Sequence, residues 1–217
     1  MKGICFTGWL QERIITGNKT ETRRIMDPQP DGFLCNNHSG KITLSNSLRV
    51  DPIFQSKLIR PRYTVGEIVY VKEPYAELDG SIRYKRGLGA DAIEPSRWNN
   101  SQSMPERLAR YFLRITSVHG ERLRDITEEA AMREGVQQIA DRPGMFTHYS
   151  IQLHYTKEDL TGYTPFCKNA RESFRTIIES IYGKNPWINN AYVWVYGFEL
   201  VHELKPEERL FYKLTER

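Results

Sequence analysis

The stretch YTVGEIVYVKEPYA, residues 63–76, carries the clearest strand signal of the chain. A Val-Gly turn precedes an apolar run, and a proline ends that run. Because side chains alternate across a strand, Val69, Val71 and Glu73 share one face. The stretch therefore predicts a core strand whose apolar row ends in a carboxylate.

Two interpretations of Glu73 follow from this placement. A carboxyl group at the mouth of a core can serve as an acid or as an orienting group for a substrate. The alternative is a glutamate at a strand end that is turned to solvent. Ile68 and Tyr70 make the opposite face apolar too, so the sequence leaves both interpretations open.

Three further segments predict strands and three predict helices. The strands are TETRR (20–24), RYFLRITSVHGERL (110–123) and AYVWVYGFELV (191–201), and the helices are WLQERIIT (9–16), RDITEEAAMREGV (124–136) and ESFRTIIESIYG (172–183). In the second helix, Asp125 is the predicted N-cap and Glu128 completes a capping box.

Three segments between these elements predict long loops, residues 27–60, 79–106 and 137–168. The whole pattern indicates one α+β domain over residues 1–217: a small β-barrel, flanked by short helices and carrying the three loops as insertions.

Composition narrows the class of protein. The chain has 217 residues, of which 39% are hydrophobic and 27% charged, the profile of a soluble globular protein. Three cysteines without paired spacing argue against a disulfide framework and for a reducing compartment. Glu12 and Arg13 come too early for a secretory signal, and no apolar run approaches the length of a membrane span. We expect a cytoplasmic protein without membrane contact.

Basic residues are clustered rather than spread. The formal net charge of +4 does not by itself indicate nucleic-acid binding. The clusters are Arg13, Lys19, Arg23 and Arg24, then Lys57, Arg60 and Arg62, then Arg83, Lys85 and Arg86. Such clusters are candidate contacts for phosphate groups.

Lys19 and Thr22 lie three residues apart, where the first helix gives way to a strand. A threonine hydroxyl is a poor nucleophile unless a base takes its proton, and a desolvated lysine can be that base. The alternative is that both residues line a polar turn.

Aromatic and metal-binding patterns are less specific. Tyr192, Trp194, Tyr196 and Phe198 share one face of the last strand, where they either stack on bases or fill a core. Cys35 with His38, and His148 with His154 and Cys167, have ligand-like spacing but no second paired motif. We predict neither a metal site nor a cofactor, and no phosphate-binding glycine loop or nucleophile elbow is present.

Four separated segments together resemble the ASCH family, in the larger variety common in bacterial prophages. They are ITGNKTETRR (15–24), PRYTVGEIVYVKEPYA (61–76), LRITSVHGERLRDITEEAAMREGV (113–136) and NPWINNAYVWVYGFEL (185–200). The segments follow the family's order and span nearly the full chain, while the loops between them are unmatched. The resemblance implies a β-barrel related to the PUA domain of RNA-modifying proteins.

Most ASCH proteins are described as RNA binders, and a small bacterial relative is an amidohydrolase that removes the acetyl group from acetylcytidine. That enzyme uses a lysine, a threonine three residues later and a glutamate on a following strand. Lys19, Thr22 and Glu73 occupy the corresponding motif positions. Pro74 and Tyr75 depart from the family, which usually has a threonine and a tryptophan after the glutamate.

The resemblance thus implies a protein that binds RNA or a modified nucleoside. In one interpretation it is an amidohydrolase for an acylated base, with Lys19, Thr22 and Glu73 as catalytic residues. A second interpretation is a binding module without chemistry, and a third is a ribonuclease that uses the same cationic cleft. The predicted phosphate-binding residues are Arg23, Arg24, Arg60 and Arg62.

Overall fold

A computed structural model of the chain describes residues 1–30, 33–36, 42–45, 59–88, 93–140, 142–148 and 166–201. For residues 33–36 and 42–45 it describes the backbone alone. The helices in these ranges are α1 (Gly8–Ile15), α2 (Glu128–Arg133), α3 (Ala170–Tyr182) and α4 (Asn185–Ile188). The strands are β1 (Gly3–Cys5), β2 (Glu21–Ile25), β3 (Phe33–Asn36), β4 (Ile42–Ser45), β5 (Ile68–Lys72), β6 (Tyr75–Leu78), β7 (Ser81–Tyr84), β8 (Phe112–Arg122), β9 (Phe146–Thr147), β10 (Phe166–Cys167) and β11 (Tyr192–Val201).

The main sheet is mixed and has five strands in the order β1-β5-β8-β11-β2. β1 runs parallel to β5, whereas β5 pairs with β8, and β11 with β2, in the antiparallel sense. In the described part of the chain this sheet keeps β1 and β2 as edges and is not closed into a barrel. The α+β class is confirmed, and the small barrel stays a prediction.

The chain forms two compact units. The first unit takes the described residues of Met1–Gly17, of Val65–Thr116 and from Phe198 onward. The second takes those of Asn18–Thr64 and Ser117–Gly197. That residues 1–217 form a single domain stays a prediction.

In the first unit, β5 is buried on both faces, as its apolar run predicts. Helix α1 ends as expected, with Thr16 as C-cap and Gly17 at a positive φ of 75°. The side-chain amide of Gln11 in α1 donates to the carbonyl oxygen of Lys72 at 3.0 Å, which fastens the helix to the end of β5.

In the second unit, α3 packs its apolar stripe inward. Phe174, Ile177 and Ile178 are buried, whereas Ile181, at the i+7 position from Phe174, is 40% exposed. Asn169 caps the helix by accepting a hydrogen bond from the backbone N–H of Glu172 at 2.8 Å.

The predicted capping of α2 is wrong. The N-cap is Thr127, whose hydroxyl accepts from the N–H of Ala130 at 3.1 Å, while Asp125 lies in a preceding 3-10 turn. The Glu128 carboxylate accepts instead from the N–H of Ala170 at 2.7 Å, and so links α2 to the start of α3.

The long loops also contain secondary structure that the sequence patterns did not indicate. β3 and β4 pair within residues 27–60, β7 pairs with β6 at the start of 79–106, and β9 pairs with β10 around 137–168. The β6–β7 turn needs positive φ at Asp79 (51°) and Gly80 (71°), the geometry of a tight two-residue hairpin. Within the described residues, no helix has both the length and the apolar character needed to cross a membrane.

Candidate functional site

Lys19 is buried in the second unit, just before β2, with 1% of its surface exposed. Its ammonium group donates to the carbonyl oxygens of Glu21 at 2.7 Å and Glu134 at 2.8 Å, and to Oε2 of Glu134 at 2.5 Å. An ammonium has three N–H donors, so these three acceptors match its full capacity. The Lys19 side chain is therefore held inside the protein by hydrogen bonds and does not line a solvated polar turn.

Glu134 is the carboxylate partner of Lys19. It is the C-cap residue of α2, and it is 5% exposed. The backbone N–H of Thr20 donates to the carbonyl oxygen of Arg133 at 2.9 Å, which holds the end of α2 against the chain entering β2. This bond brings the Glu134 carboxylate into reach of the lysine.

Arg23 extends the same buried network. Its Nη1 donates to Oε1 of Glu134 at 3.2 Å and to Oε2 of Glu21 at 3.3 Å, and its Nε donates to Oε1 of Glu121 at 2.7 Å. Burial acts to lower the pKa of Arg23, but the carboxylates of Glu134 and Glu121 outweigh it and hold that pKa above its ordinary value. Its guanidinium also lies 5.8 Å from the centre of the Phe174 ring.

Burial lowers the pKa of Lys19 from its ordinary value, and the positive charges of Arg24 and Arg23 act in the same direction. The Glu134 carboxylate acts in the opposite direction without reversing the shift. A lysine with a lowered pKa loses its proton more easily, which is a property that a general base requires.

Thr22 and Arg24 lie on the other face of β2 from Arg23, because side chains alternate along a strand. Thr22 pairs with Tyr196 of β11, and Arg24 pairs with Trp194. Directly opposed residues of an antiparallel pair project to the same face, so these four side chains share one face.

A segment near residues 59–64 joins this face. The backbone N–H of Arg62 donates to the hydroxyl of Tyr196 at 3.0 Å, and the Tyr63 ring packs edge-on against the Tyr196 ring at 5.1 Å between centres. Burial raises the pKa of Tyr196, whereas the Arg62 N–H and the charges of Arg24 and Arg62 act to lower it. Arg60 and Arg62 are exposed.

Glu73 lies in the first unit and is completely buried. The interpretation of Glu73 as a glutamate turned to solvent is therefore wrong. Arg110 donates to both carboxylate oxygens, from Nη2 to Oε1 at 2.6 Å and from Nε to Oε2 at 3.0 Å. The Arg110 guanidinium also stacks on the ring of Tyr84 at 3.9 Å. Glu73 is thus one half of a bidentate ion pair.

The structure brings Lys19 and Thr22 into one compact unit and places Glu73 in the other. A single site formed by all three residues stays a prediction. The aromatic row of β11 is buried, with Tyr192, Trp194, Tyr196 and Phe198 each at most 9% exposed, so the interpretation as core is confirmed.

Sequence reasoning missed Glu134 and Arg110, the two residues that hold the predicted lysine and glutamate. Glu134 had a signal, since a carboxylate directly before a helix-ending glycine opposes the helix dipole and needs a cationic partner. Arg110 had none, because thirty-seven residues separate it from Glu73.

Among the side chains that the structure describes, no group of three or more His, Cys, Asp or Glu could hold a metal ion. The side chain of Cys35, and all of His38 and His154, lie outside the described residues. In comparisons with known proteins, no family model, no curated protein and no solved structure matches this chain.

Proposed function

We propose that this chain binds RNA or a modified nucleoside through an arginine face, which consists of Arg24, Arg60 and Arg62. The observation that carries the proposal is that Arg24 shares one face of the sheet with Tyr196, whose hydroxyl accepts from the backbone N–H of Arg62. Guanidinium groups supplied by two segments to one face can together bind a phosphate group.

The buried aromatic residues decide how such a ligand is held. Tyr63, Trp194 and Tyr196 are buried, so their rings pack inside the protein next to the arginine face and do not stack on the bases of a ligand. Binding then depends on contacts with phosphate, which are sequence-independent and sensitive to salt. Arg23 is a weaker candidate for phosphate binding, because carboxylates surround its guanidinium.

The test is the salt dependence of binding to a fluorescent single-stranded RNA, measured by anisotropy. We expect the slope of log affinity against log salt to lose about 0.7 for each phosphate contact removed. The double variant Arg24→Ala, Arg62→Ala should therefore lose about 1.4. Arg175→Ala is the matched control, since Arg175 is exposed in the same unit and pairs with Glu179 on α3.

Binding that is absent at low salt would contradict the proposal. Binding that keeps the wild-type slope in the double variant would also contradict it, because the arginine face would then not be the site.

A second candidate is hydrolysis of an acylated base, and the lowered pKa of Lys19 specifically favours it. In this reaction Lys19 takes the proton of the Thr22 hydroxyl, and the hydroxyl oxygen attacks the acyl carbon. The C–N bond then breaks, the exocyclic nitrogen leaves with the proton that Lys19 took from Thr22, and water hydrolyses the acyl ester of Thr22 to release the acid and restore the hydroxyl. Glu73 would orient the exocyclic nitrogen, as the ASCH resemblance implies.

The test is release of acetate from acetylcytidine, as nucleoside and within RNA. We expect turnover that Lys19→Met and Thr22→Ala abolish and that Thr22→Ser retains in part, because serine keeps the hydroxyl. Turnover that survives in Thr22→Ala excludes a threonine nucleophile. No turnover by the wild type leaves the binding function alone.

Membership of the ASCH family, with its PUA-like barrel, belongs to the same proposal. The four segments that carry the resemblance supply β2, β5, β8 and β11, which are four of the five strands in the main sheet. A crystal structure in which these strands do not share one sheet would contradict it.

A further inference from the structure

The Glu134 carboxylate bridges two buried cations. Oε2 binds the Lys19 amine at 2.5 Å, and Oε1 binds Nη1 of Arg23 at 3.2 Å. The carbonyl oxygen of the same residue also accepts from Lys19, at 2.8 Å. Glu134 therefore supplies the amine with two acceptors, one from its side chain and one from its backbone.

The position of Glu134 is unfavourable by itself. Carboxylates are disfavoured at the C-terminal end of a helix, where the last carbonyl groups already carry partial negative charge. A buried carboxylate also costs free energy unless cations and hydrogen bonds compensate for it. Lys19 and Arg23 provide that compensation, so the residue fits its location only as a partner of these two cations.

We propose that Glu134 is the positioning residue of Lys19, which it fixes beside β2 and supplies with a counter-charge. The proposal deepens the hydrolytic function suggested above and rests on Lys19 being part of that site. Glu134 itself need not touch the substrate. Its role is to set where the amine lies and how readily the amine gives up its proton.

Removal of the Glu134 charge has a predictable direction. In Glu134→Gln, burial and the charges of Arg23 and Arg24 still act against the protonated amine, while the opposing carboxylate is gone. The Lys19 amine should then lose its proton at lower pH than in the wild type. A purely structural role for Glu134, mediated by packing, would not move this titration in that direction.

The experiment is an NMR titration of 13C-labelled lysine side chains, with the Lys19 signal assigned from its loss in Lys19→Arg. We expect the Lys19 midpoint to move to lower pH in Glu134→Gln and to return towards the wild-type value in Glu134→Asp, which keeps the charge. Glu121→Gln is the matched control. It removes a carboxylate of the same network that binds Arg23 at 2.7 Å, and we expect a smaller displacement.

An unchanged midpoint in Glu134→Gln overturns the proposal, and so does a displacement equalled by Glu121→Gln. If Glu134→Gln does not fold, Glu134→Asp provides the test, because the shorter side chain draws the carboxylate away from the amine. The Lys19 midpoint should then lie below the wild-type value, and an unchanged midpoint also overturns the proposal.

These measurements need no ligand, so they separate this inference from the proposed function. A midpoint that depends on Glu134 in a protein without acetylcytidine turnover supports the positioning role and rejects the hydrolytic function. Turnover of acetylcytidine together with a Lys19 midpoint that does not depend on Glu134 supports the hydrolytic function and rejects the positioning role.

Discussion

The ion pair of Glu73 and Arg110 predicts an asymmetric response to mutation. Glu73 is completely buried, whereas the Arg110 side chain is 33% exposed. Removal of one partner of a buried ion pair costs about 3–5 kcal/mol when the remaining charge stays buried. In Arg110→Ala the remaining charge is the buried carboxylate, so this is the more damaging change.

The magnitude follows from the exposure of Arg110. Because water can enter the space that Arg110 occupied, we expect the unpaired Glu73 carboxylate to lower the free energy of unfolding by about 2 kcal/mol, which is less than for a fully buried pair. Loss of the guanidinium stack on Tyr84 adds about 0.5–1 kcal/mol. In Glu73→Gln the remaining guanidinium is partly solvated and an amide replaces the carboxylate, so we expect a cost of about 1 kcal/mol.

The assay is urea unfolding followed by tryptophan fluorescence, with the free energy of unfolding extrapolated to water. Arg175→Ala is the control, because it breaks an exposed pair with Glu179 that should contribute about 0.3–0.5 kcal/mol. If Arg110→Ala costs no more than this control, or less than Glu73→Gln, the argument from a buried pair is refuted.

Three further predictions concern single residues. Asn169→Ala should lower the free energy of unfolding by about 1 kcal/mol through loss of the α3 N-cap, and Asn169→Ser should restore most of it, by the same urea assay. The pKa of Lys19 in the folded protein lies below its unfolded value of about 10.4, so between these two pH values the unfolded chain binds more protons than the folded one. The stability of the wild type relative to Lys19→Met should therefore increase as pH rises through that range, as measured by thermal unfolding. Burial raises the pKa of Cys167 to about 11, so iodoacetamide at pH 8 should label this thiol far more slowly in the folded protein than in urea, as read by peptide mass spectrometry.

Elements with a strong hydrophobic period were predictable from the sequence. β5, β8 and β11 and the helices α1 and α3 lie where apolar periodicity and terminal glycines indicate. The hairpins inside the long loops were not predictable in this way. β3, β4 and β7 have four residues each and β10 has two, which is too short for a hydrophobic period to stand out, and their pairing depends on neighbouring strands.

The candidate site was predictable only in part, for a related reason. The spacing of Lys19 and Thr22 selected Lys19, which is buried and has a lowered pKa, while its catalytic role stays a prediction. The acid that binds it lies 115 residues away in sequence, on a helix whose alanines face the protein interior. The local pattern indicates that Glu134 needs a cationic partner, but pairings of this kind arise from tertiary packing, so it could not identify Lys19 as that partner.

The contacts of Lys19 rank the two candidate functions. Phosphate binding by Arg24 and Arg62 requires no change of protonation, whereas catalysis requires a neutral Lys19 amine. Burial and the charges of Arg24 and Arg23 favour that neutral amine, whereas the Glu134 carboxylate opposes it. Loss of the Lys19 proton removes one cation from beside the carboxylates that bind Arg23, which are those of Glu21, Glu121 and Glu134. Hydrolysis therefore requires a change of charge inside the buried network that binding does not, so binding is the function that requires fewer steps.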